Sequence, residues 1–496
     1  MDARRVPCRT RVSVGLGASA LLSASWAYGS YVGGRVLVLA STAILARLLG
    51  PEEFGLVALA LVFTSLVETV KDLGVTQALI VDQGDGEGRA STAYAFGLGA
   101  ALVLWGVTAA LGPVAAAAFD EDQLVVLLAV LGLNFPLRAL GATHFALAQK
   151  RMDFRTRAAA ELSDVIVRGA TGVGLALAGA GAYSLVGGYL AGTVVLTLVV
   201  RRRVDFRPAR REVRREHFSS LVRFGGTLTA VDVVAAFNNQ VDYLITGRVL
   251  GTEALGLYTI AFRLPELLIR NLAVVAGQVL FPAFATIGRG ELAGAFVRAL
   301  RLTVAVAAPM AVALAVLAEP LVLTLFGEQW REAVDPMRAL AIFALIGALN
   351  IPAGTAYKAT GRAGVLLWLS APRGVALVVA LVVFVDDGLV AVALCQLATS
   401  AVSALVGVIL AARLLHVALG RVVAAVAGPV AAALVTGIAL AGVAAVLDGL
   451  AALVAAAVVG LPLYLGATAL VAPDVMATAR GAAPGRRAAP EPDRAG

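Results

Sequence analysis

Apolar runs of 19 residues or more recur along almost the whole chain, and they decide which solvent it folds in. A helix rises 1.5 Å per residue, so about 20 apolar residues cross the roughly 30 Å hydrocarbon core of a bilayer. Fourteen candidate spans lie at about 22–46, 54–80, 92–117, 123–148, 156–179, 182–200, 219–246, 255–284, 297–325, 336–359, 363–385, 388–412, 422–446 and 449–471. The fifth, seventh and eighth carry the most charge. Composition agrees: 60% of the 496 residues are hydrophobic and 15% are charged, against about 45–50% and 25% in soluble domains. The fold class expected is an all-α integral membrane protein of about fourteen transmembrane helices.

Charge placement gives an orientation. With the N-terminus in the cytoplasm, the loops on that side hold Lys150, Arg151, Arg155 and Arg157, then Arg201, Arg202, Arg203, Arg207, Arg210, Arg211, Arg214 and Arg215. Arg289, Arg298, Arg413, Arg421, Arg486 and Arg487 fall on the same side. Opposite loops read Asp120-Glu121-Asp122, Asp386-Asp387 and Asp448. This is the positive-inside pattern of a multi-pass protein of a cytoplasmic membrane with both termini inside. It accounts for the net charge of +8 without nucleic acid as a partner, although anionic lipid headgroups suit the basic loops. Arg4, Arg5, Arg9 and Arg11 before an apolar stretch resemble a signal peptide, but the apolar character runs on to Leu49, so an uncleaved first span is expected.

A second feature organises the spans. Residues 47–60, RLLGPEEFGLVALA, return at an offset of 201 as RVLGTEALGLYTIA at 248–261, with seven of fourteen positions identical. Each copy joins the first and second spans of one half. The expected organisation is a six-helix bundle at 1–200, a basic cytoplasmic linker at 201–218, a second six-helix bundle at 219–415, an extra helix pair at 416–472 and a disordered tail at 473–496. An even number of spans in each half relates the halves by an axis along the membrane normal, a recurring plan of secondary transporters.

Signatures of catalytic chemistry are sparse. The chain has no phosphate-cradling GxxxxGK[ST] loop, no HExxH and no GxSxG. Cys8 and Cys395 read as unpaired thiols, and His144 reads as a satisfied interior histidine. No metal site and no catalytic residues are expected, and the chain does not read as an enzyme. The positive signal is charge inside the spans, which is costly there and marks a water-filled interior or an intramembrane ion pair. Thr64, Glu68, Lys71, Asp72 and Thr76 share a face of the second span. Glu161, Asp164 and Arg168 share one on the fifth. Asp232, Asn238, Asn239, Gln240 and Asp242 fall on the seventh, and Arg263, Glu266, Arg270 and Gln278 on the eighth. Arg35 lies on the first span; Asn134 and Arg138 lie on the fourth. Spans nine to fourteen are nearly free of interior charge, with Lys358 near an end and Arg373 read as reaching for an interface. A polar path between spans one, two, four and five and spans seven and eight follows.

Ala46-Arg47-Leu48-Leu49-Gly50-Pro51-Glu52-Glu53-Phe54-Gly55 and Asp72-Leu73-Gly74-Val75-Thr76-Gln77-Ala78-Leu79-Ile80 resemble the polysaccharide flippases of the multidrug/oligosaccharidyl-lipid/polysaccharide exporter superfamily. Asn238-Asn239-Gln240-Val241-Asp242-Tyr243-Leu244-Ile245, Gly256-Leu257-Tyr258 and Leu280-Phe281-Pro282-Ala283-Phe284 are similar to its WzxC-type branch. The resemblance covers roughly 20–415. It implies a V-shaped pair of bundles, a cationic central cavity and alternating access. The function expected is translocation of a polyprenyl-pyrophosphate-linked oligosaccharide for a surface polysaccharide, with polymerase or glycosyltransferase proteins as partners. Guanidinium groups pair with phosphate oxygens, so Arg35, Arg138, Arg263, Arg270, Lys71 and Asn239 are the expected headgroup contacts. Asp72, Asp232, Asp242 and Glu68 are the expected coupling sites for a proton or sodium gradient; no other cofactor is expected. A drug/cation antiporter, a membrane enzyme and a non-transporting scaffold are the alternatives. The antiporter would want an acidic, aromatic-lined cavity, the enzyme a large outside loop, and the scaffold a role for the 201–218 loop.

Overall fold

The computed structural model of the chain describes residues 18–71, 86–151, 153–208, 236–471 and 475. Among them, every regular element is helical, and ten helices are long and apolar enough to cross a membrane. Expected span residues 72–80 and 219–235, linker residues 209–218 and nearly all of the 473–496 tail lie outside the described residues.

The first half contains α1 (Ala18–Leu48), α2 (Pro51–Lys71), α3 (Gly86–Phe119), α4 (Gln123–Gly132), α5 (Asn134–Lys150), α6 (Phe154–Leu177) and α7 (Ala182–Arg203). Local chemistry sets the breaks. Pro51 opens α2 where a missing N–H costs nothing, and the Glu53 carboxylate accepts from Gly50 N at 2.8 Å. The fourth span divides into α4 and α5 at Leu133, because the Pro136 ring cannot coexist with a helical carbonyl at Gly132. Asp153 caps α6 by accepting from Thr156 N at 3.0 Å. Hydrogen bonds from the Thr156 side chain and backbone hold this carboxyl below the ordinary carboxylate range.

The second half contains α8 (Val241–Val249), α9 (Gly251–Pro265), a π-helical turn at Glu266–Arg270, α10 (Asn271–Thr286), α11 (Arg289–Val316), α12 (Ala318–Leu325), a 3₁₀ turn at Glu328–Ala333, α13 (Val334–Ala359), α14 (Gly364–Phe384) and α15 (Leu389–Leu414). The extra pair is α16 (Leu419–Val446) and α17 (Gly449–Val471). One correction concerns the ninth span. The sequence reads as unbroken over 297–325, yet α11 stops at Val316 and α12 starts again two residues later. Pro320 forbids a helical carbonyl bond back to Val316 and is tolerated only in the first turn of a new helix.

The halves repeat one packing scheme. In the first, α3 lies on α4 and α5, α5 on α7, α7 on α6 and α6 on α1. In the second, α11 lies on α13, α13 on α15, α15 on α14 and α14 on α8. The pair α16–α17 packs on itself and against α11 and α12. Large apolar side chains remain exposed along α14, α16 and α17, among them Val375, Ile438, Val446 and Leu470. Patches of this extent are what a lipid-facing surface requires.

Candidate functional site: a cavity between the halves

The two copies of the repeat meet face to face. Helices α2 and α9 cross so closely that a Cβ placed on Gly55 would fall 1.7 Å from the Thr252 carbonyl oxygen. A Cβ on Gly256 would fall 1.8 Å from the Pro51 carbonyl oxygen. Pro51 and Thr252, like Gly55 and Gly256, are related by the repeat offset, so the contact is its own mirror across a pseudo-twofold axis. Only glycine permits it.

Around this crossing each half grips a turn of the other. Arg47 donates to the carbonyls of Leu325 at 3.2 Å and Thr324 at 2.5 Å. Gln329 Nε2 donates to the Ala46 and Leu49 carbonyls at 2.6 and 3.1 Å, and Trp330 Nε1 to Ala46 O at 2.8 Å. Phe54 meets the Trp330 ring edge-on at 5.2 Å. In return, Arg248 pairs with Asp120 at 3.3 Å, and Thr252 Oγ1 donates to Glu121 at 2.8 Å. Arg47 and Arg248 are the repeat-related pair. One end of the molecule is therefore shut by direct contacts between the halves.

Beneath the closed end lies a cavity of about 510 Å³. Its wall follows α2 from Phe54 to Glu68, about 20 Å at helical rise. The first half contributes Ser41, Thr42, Thr64, Ser65, Glu68, Asp164, Arg168 and Tyr189; the second contributes Asn238, Asn239, Gln240, Asp242, Arg263, Glu266, Arg270, Arg373 and Gln396. Tyr243, Phe262 and Phe343 make the second wall aromatic; Tyr243 meets Phe262 edge-on at 6.4 Å, and Phe262 and Phe343 lie tilted at 5.7 Å. Spacings of three and four residues bring Arg263, Glu266 and Arg270 to one side of their helix. The π turn after Pro265 sits in that stretch, as such bulges commonly do at functional sites.

The charged groups are held differently. Arg168 binds both Asp164 oxygens, at 2.9 and 2.8 Å, and lies 4.3 Å over the Tyr189 ring. Arg263 reaches Thr42 Oγ1 at 3.3 Å, and Arg373 reaches Gln396 Oε1 at 2.9 Å. Among the described residues, Arg263, Arg270 and Arg373 have no carboxylate within 4 Å. The Nε atoms of Arg263 and Arg373 are buried without a hydrogen-bond partner. Asp242 is 1% exposed and accepts from Tyr258 OH at 2.8 Å, while its second oxygen has no partner.

Of the residues expected from sequence, Glu68, Asn239, Asp242, Arg263 and Arg270 line the cavity. Arg138 does not. It stands 44% exposed, outside the lining, with Glu68 3.5 Å away. Arg35, on α1, is half-buried and outside the lining. The Lys71 side chain, Asp72 and Asp232 lie outside the described residues. Asn134 serves structure, accepting from Thr193 at 2.8 Å in the buried α5–α7 contact. The fourth span adds only Leu131 to the lining, whereas spans ten to twelve add Phe343, Arg373 and Gln396. The path read from sequence thus extends further into the second half. Arg373, read as reaching for an interface, instead faces the cavity lining. The lining as a whole is not cationic: Glu68, Asp164, Asp242 and Glu266 match Arg168, Arg263, Arg270 and Arg373. His144 Nε2 lies 3.2 Å from the Phe206 carbonyl, with the two rings 5.2 Å apart, so it pins the start of the linker to the first half.

Two repeat-related helical halves around a charged cavity define a membrane transporter fold. The solved lipid II flippase MurJ, in its inward closed conformation, superposes with a TM-score of 0.72 at 14% identity, covering 92% of this chain and all of that one. An inward-facing multidrug resistance transporter of the MATE family gives 0.63 at 18% identity over 77% of this chain and 94% of its own. Residues 44–335 match the family described as Polysaccharide biosynthesis protein. The chain belongs to that family. The lipopolysaccharide biosynthesis protein WzxC of Escherichia coli (strain K12) is 27% identical over 335 residues, 66% of this chain and 67% of its own. The succinoglycan biosynthesis transport protein ExoT of Rhizobium meliloti (strain 1021) is 29% identical over 362 residues, 71% of each chain.

Proposed function

We propose that this protein carries a polyprenyl-pyrophosphate-linked oligosaccharide from the inner to the outer leaflet of a bacterial cytoplasmic membrane. The observation that carries the reading is the trio Arg263, Arg270 and Arg373 in the cavity without carboxylate partners. An unpaired guanidinium inside a membrane protein is costly. Phosphate oxygens offset that cost through paired, charge-assisted hydrogen bonds. A pyrophosphate bearing sugars cannot cross hydrocarbon, while its polyprenyl tail belongs there. A cavity between two halves takes the first and leaves the second in lipid.

In this reading the chain makes fourteen spans with both termini cytoplasmic, and the halves at 1–200 and 219–415 rock about the linker. The repeat end, marked by Asp120-Glu121-Asp122, faces outward. The state described here is then closed outside, with the substrate entering from the inner leaflet. Polymerase or glycosyltransferase proteins supply and receive the lipid-linked glycan. Asp242 is the coupling group. It is a buried carboxylate with one hydrogen-bond donor, at the foot of the same cavity, suited to holding a proton or a sodium ion. Asp242→Asn keeps the side-chain shape and is expected to leave transport running down a substrate gradient while removing its response to an imposed proton or sodium gradient. A variant that still responds to the gradient would move the coupling elsewhere.

Deletion of the gene tests the function. Lipids extracted from the deletion strain should contain an accumulated polyprenyl-linked oligosaccharide, identified by mass spectrometry, alongside loss of one surface polymer. An unchanged lipid profile in a strain without a redundant relative contradicts the proposal.

A further inference from the structure

The two walls of the cavity are electrically unlike. Among the described lining residues, the first half presents two carboxylates, Glu68 and Asp164, and one guanidinium, that of Arg168. That guanidinium is already spent on Asp164 and on the Tyr189 ring. The second half presents two carboxylates and three guanidinium groups. None of these three forms an ion pair, and two have a buried Nε without a partner.

The hydroxyl groups divide the other way. Ser41, Thr64 and Ser65 of α1 and α2 line the first wall. Each donates its proton back to its own helix, to Val38 O at 3.0 Å, to Ala60 O and Leu61 O at 3.0 Å, and to Val62 O at 2.8 Å. Their oxygens therefore face the cavity as acceptors. The Glu68 and Asp164 carboxylates are held by Arg138 and Arg168, so among the described lining residues this wall offers hydroxyl acceptors and no guanidinium outside an ion pair. Sugar hydroxyls donate to such a surface, which gives a pyrophosphate no free counter-charge.

Resting on the flippase reading, we infer that the substrate loads with one fixed polarity: pyrophosphate against the second half, gripped by Arg373 together with Arg263 and Arg270, and the first sugars against α1 and α2. Arg373 is the member of this grip that sits in an otherwise apolar span. Its Nη2 is anchored on Gln396 at 2.9 Å, which leaves the remaining N–H groups for a ligand. The grip selects for a doubly charged phosphate group and is indifferent to which glycan it bears. Glycan preference belongs to the opposite wall.

The test separates the walls with two probes on the purified full-length protein in lipid nanodiscs. The first probe is polyprenyl pyrophosphate without sugar. The second is the lipid-linked oligosaccharide that accumulates in the deletion strain. Arg373→Gln should weaken polyprenyl pyrophosphate binding by about tenfold or more, with Arg373→Lys retaining part of it and so showing that the site still folds. The double variant Asp164→Asn/Arg168→Gln should bind this probe as the wild type does. Ser41→Ala/Thr64→Val should leave it unchanged and weaken only the oligosaccharide probe. Wild-type binding of polyprenyl pyrophosphate by Arg373→Gln, or an equal loss in Asp164→Asn/Arg168→Gln, overturns the polarity while leaving the flippase reading in place. Failure of the wild type to bind either probe overturns both.

Discussion

Gly256→Leu is expected to abolish transport without unfolding the protein. The added side chain cannot share space with the Pro51 carbonyl oxygen, which lies 1.8 Å from where its Cβ would sit, so α2 and α9 must separate. Overpacking of this kind costs about 1–3 kcal/mol or more even in forgiving cores. In the rocking cycle proposed above the crossing opens, so the cost falls on the state in which this end is shut. A shift of about 3 kcal/mol changes the ratio of two conformations by over a hundredfold. Gly55→Leu should behave alike, since the repeat places it in the equivalent contact with Thr252. The check is accessibility. With Cys8 and Cys395 replaced, the variant Phe54→Cys, at a position packed on Trp330 in the closed state, should react slowly with a membrane-impermeant thiol reagent in the parent. In Gly256→Leu it should react quickly. Equal labelling of the two proteins, or full transport by Gly256→Leu, would show that closure at the repeat is not part of the cycle.

The second large effect concerns charge. Arg263→Gln/Arg270→Gln removes two of the three unpaired guanidinium groups of the cavity. Hydrogen bonds to charged groups contribute about 1.5–3 kcal/mol each, so losing both should lower export by about a hundredfold or more. Folding should survive, because neither arginine closes an ion pair among the described residues. Removing them also relieves the burial of charge. Surface polymer measured in the complemented deletion strain, with membrane insertion followed in parallel, reads the result. Normal polymer in cells holding the double variant contradicts the headgroup site. A corresponding substitution at Arg138 should do far less, since that side chain stands outside the cavity lining and against Glu68.

What the sequence disclosed and what it concealed follow from how each signal is written. Membrane spans are composition over about 20 residues, so the helical class was legible. A repeat is an offset, so the equivalence of Gly55 with Gly256 and of Arg47 with Arg248 was legible as well. That these residues touch was not. A pseudo-twofold contact needs the distance between halves, and no local pattern carries that. Polar residues inside spans announced Glu68, Asn239, Asp242, Arg263 and Arg270. Arg373 was missed because a single cation in an apolar span reads equally well as one reaching for an interface. Its anchor Gln396 lies on the next span, with nothing nearby to mark the pair. Arg138 shares its span with Leu131, but only Leu131 belongs to the described lining. The helix is interrupted at Leu133, between the two. The family resemblance implies a cationic cavity; the described lining instead carries four carboxylates and four guanidinium groups, and the three guanidinium groups outside ion pairs all belong to the second half.

The central claim is that the cavity between the halves carries a lipid-linked oligosaccharide across the bilayer. It is met most directly by placing the purified protein in proteoliposomes whose inner leaflet holds the lipid-linked oligosaccharide recovered from the deletion strain. Exposure of the glycan to an external glycosidase is followed with time. The account predicts rapid exposure with the wild type and only the slow background of protein-free vesicles with Gly256→Leu and with Arg263→Gln/Arg270→Gln. Exposure at the protein-free rate with the wild type, or at the wild-type rate with both variants, would contradict it.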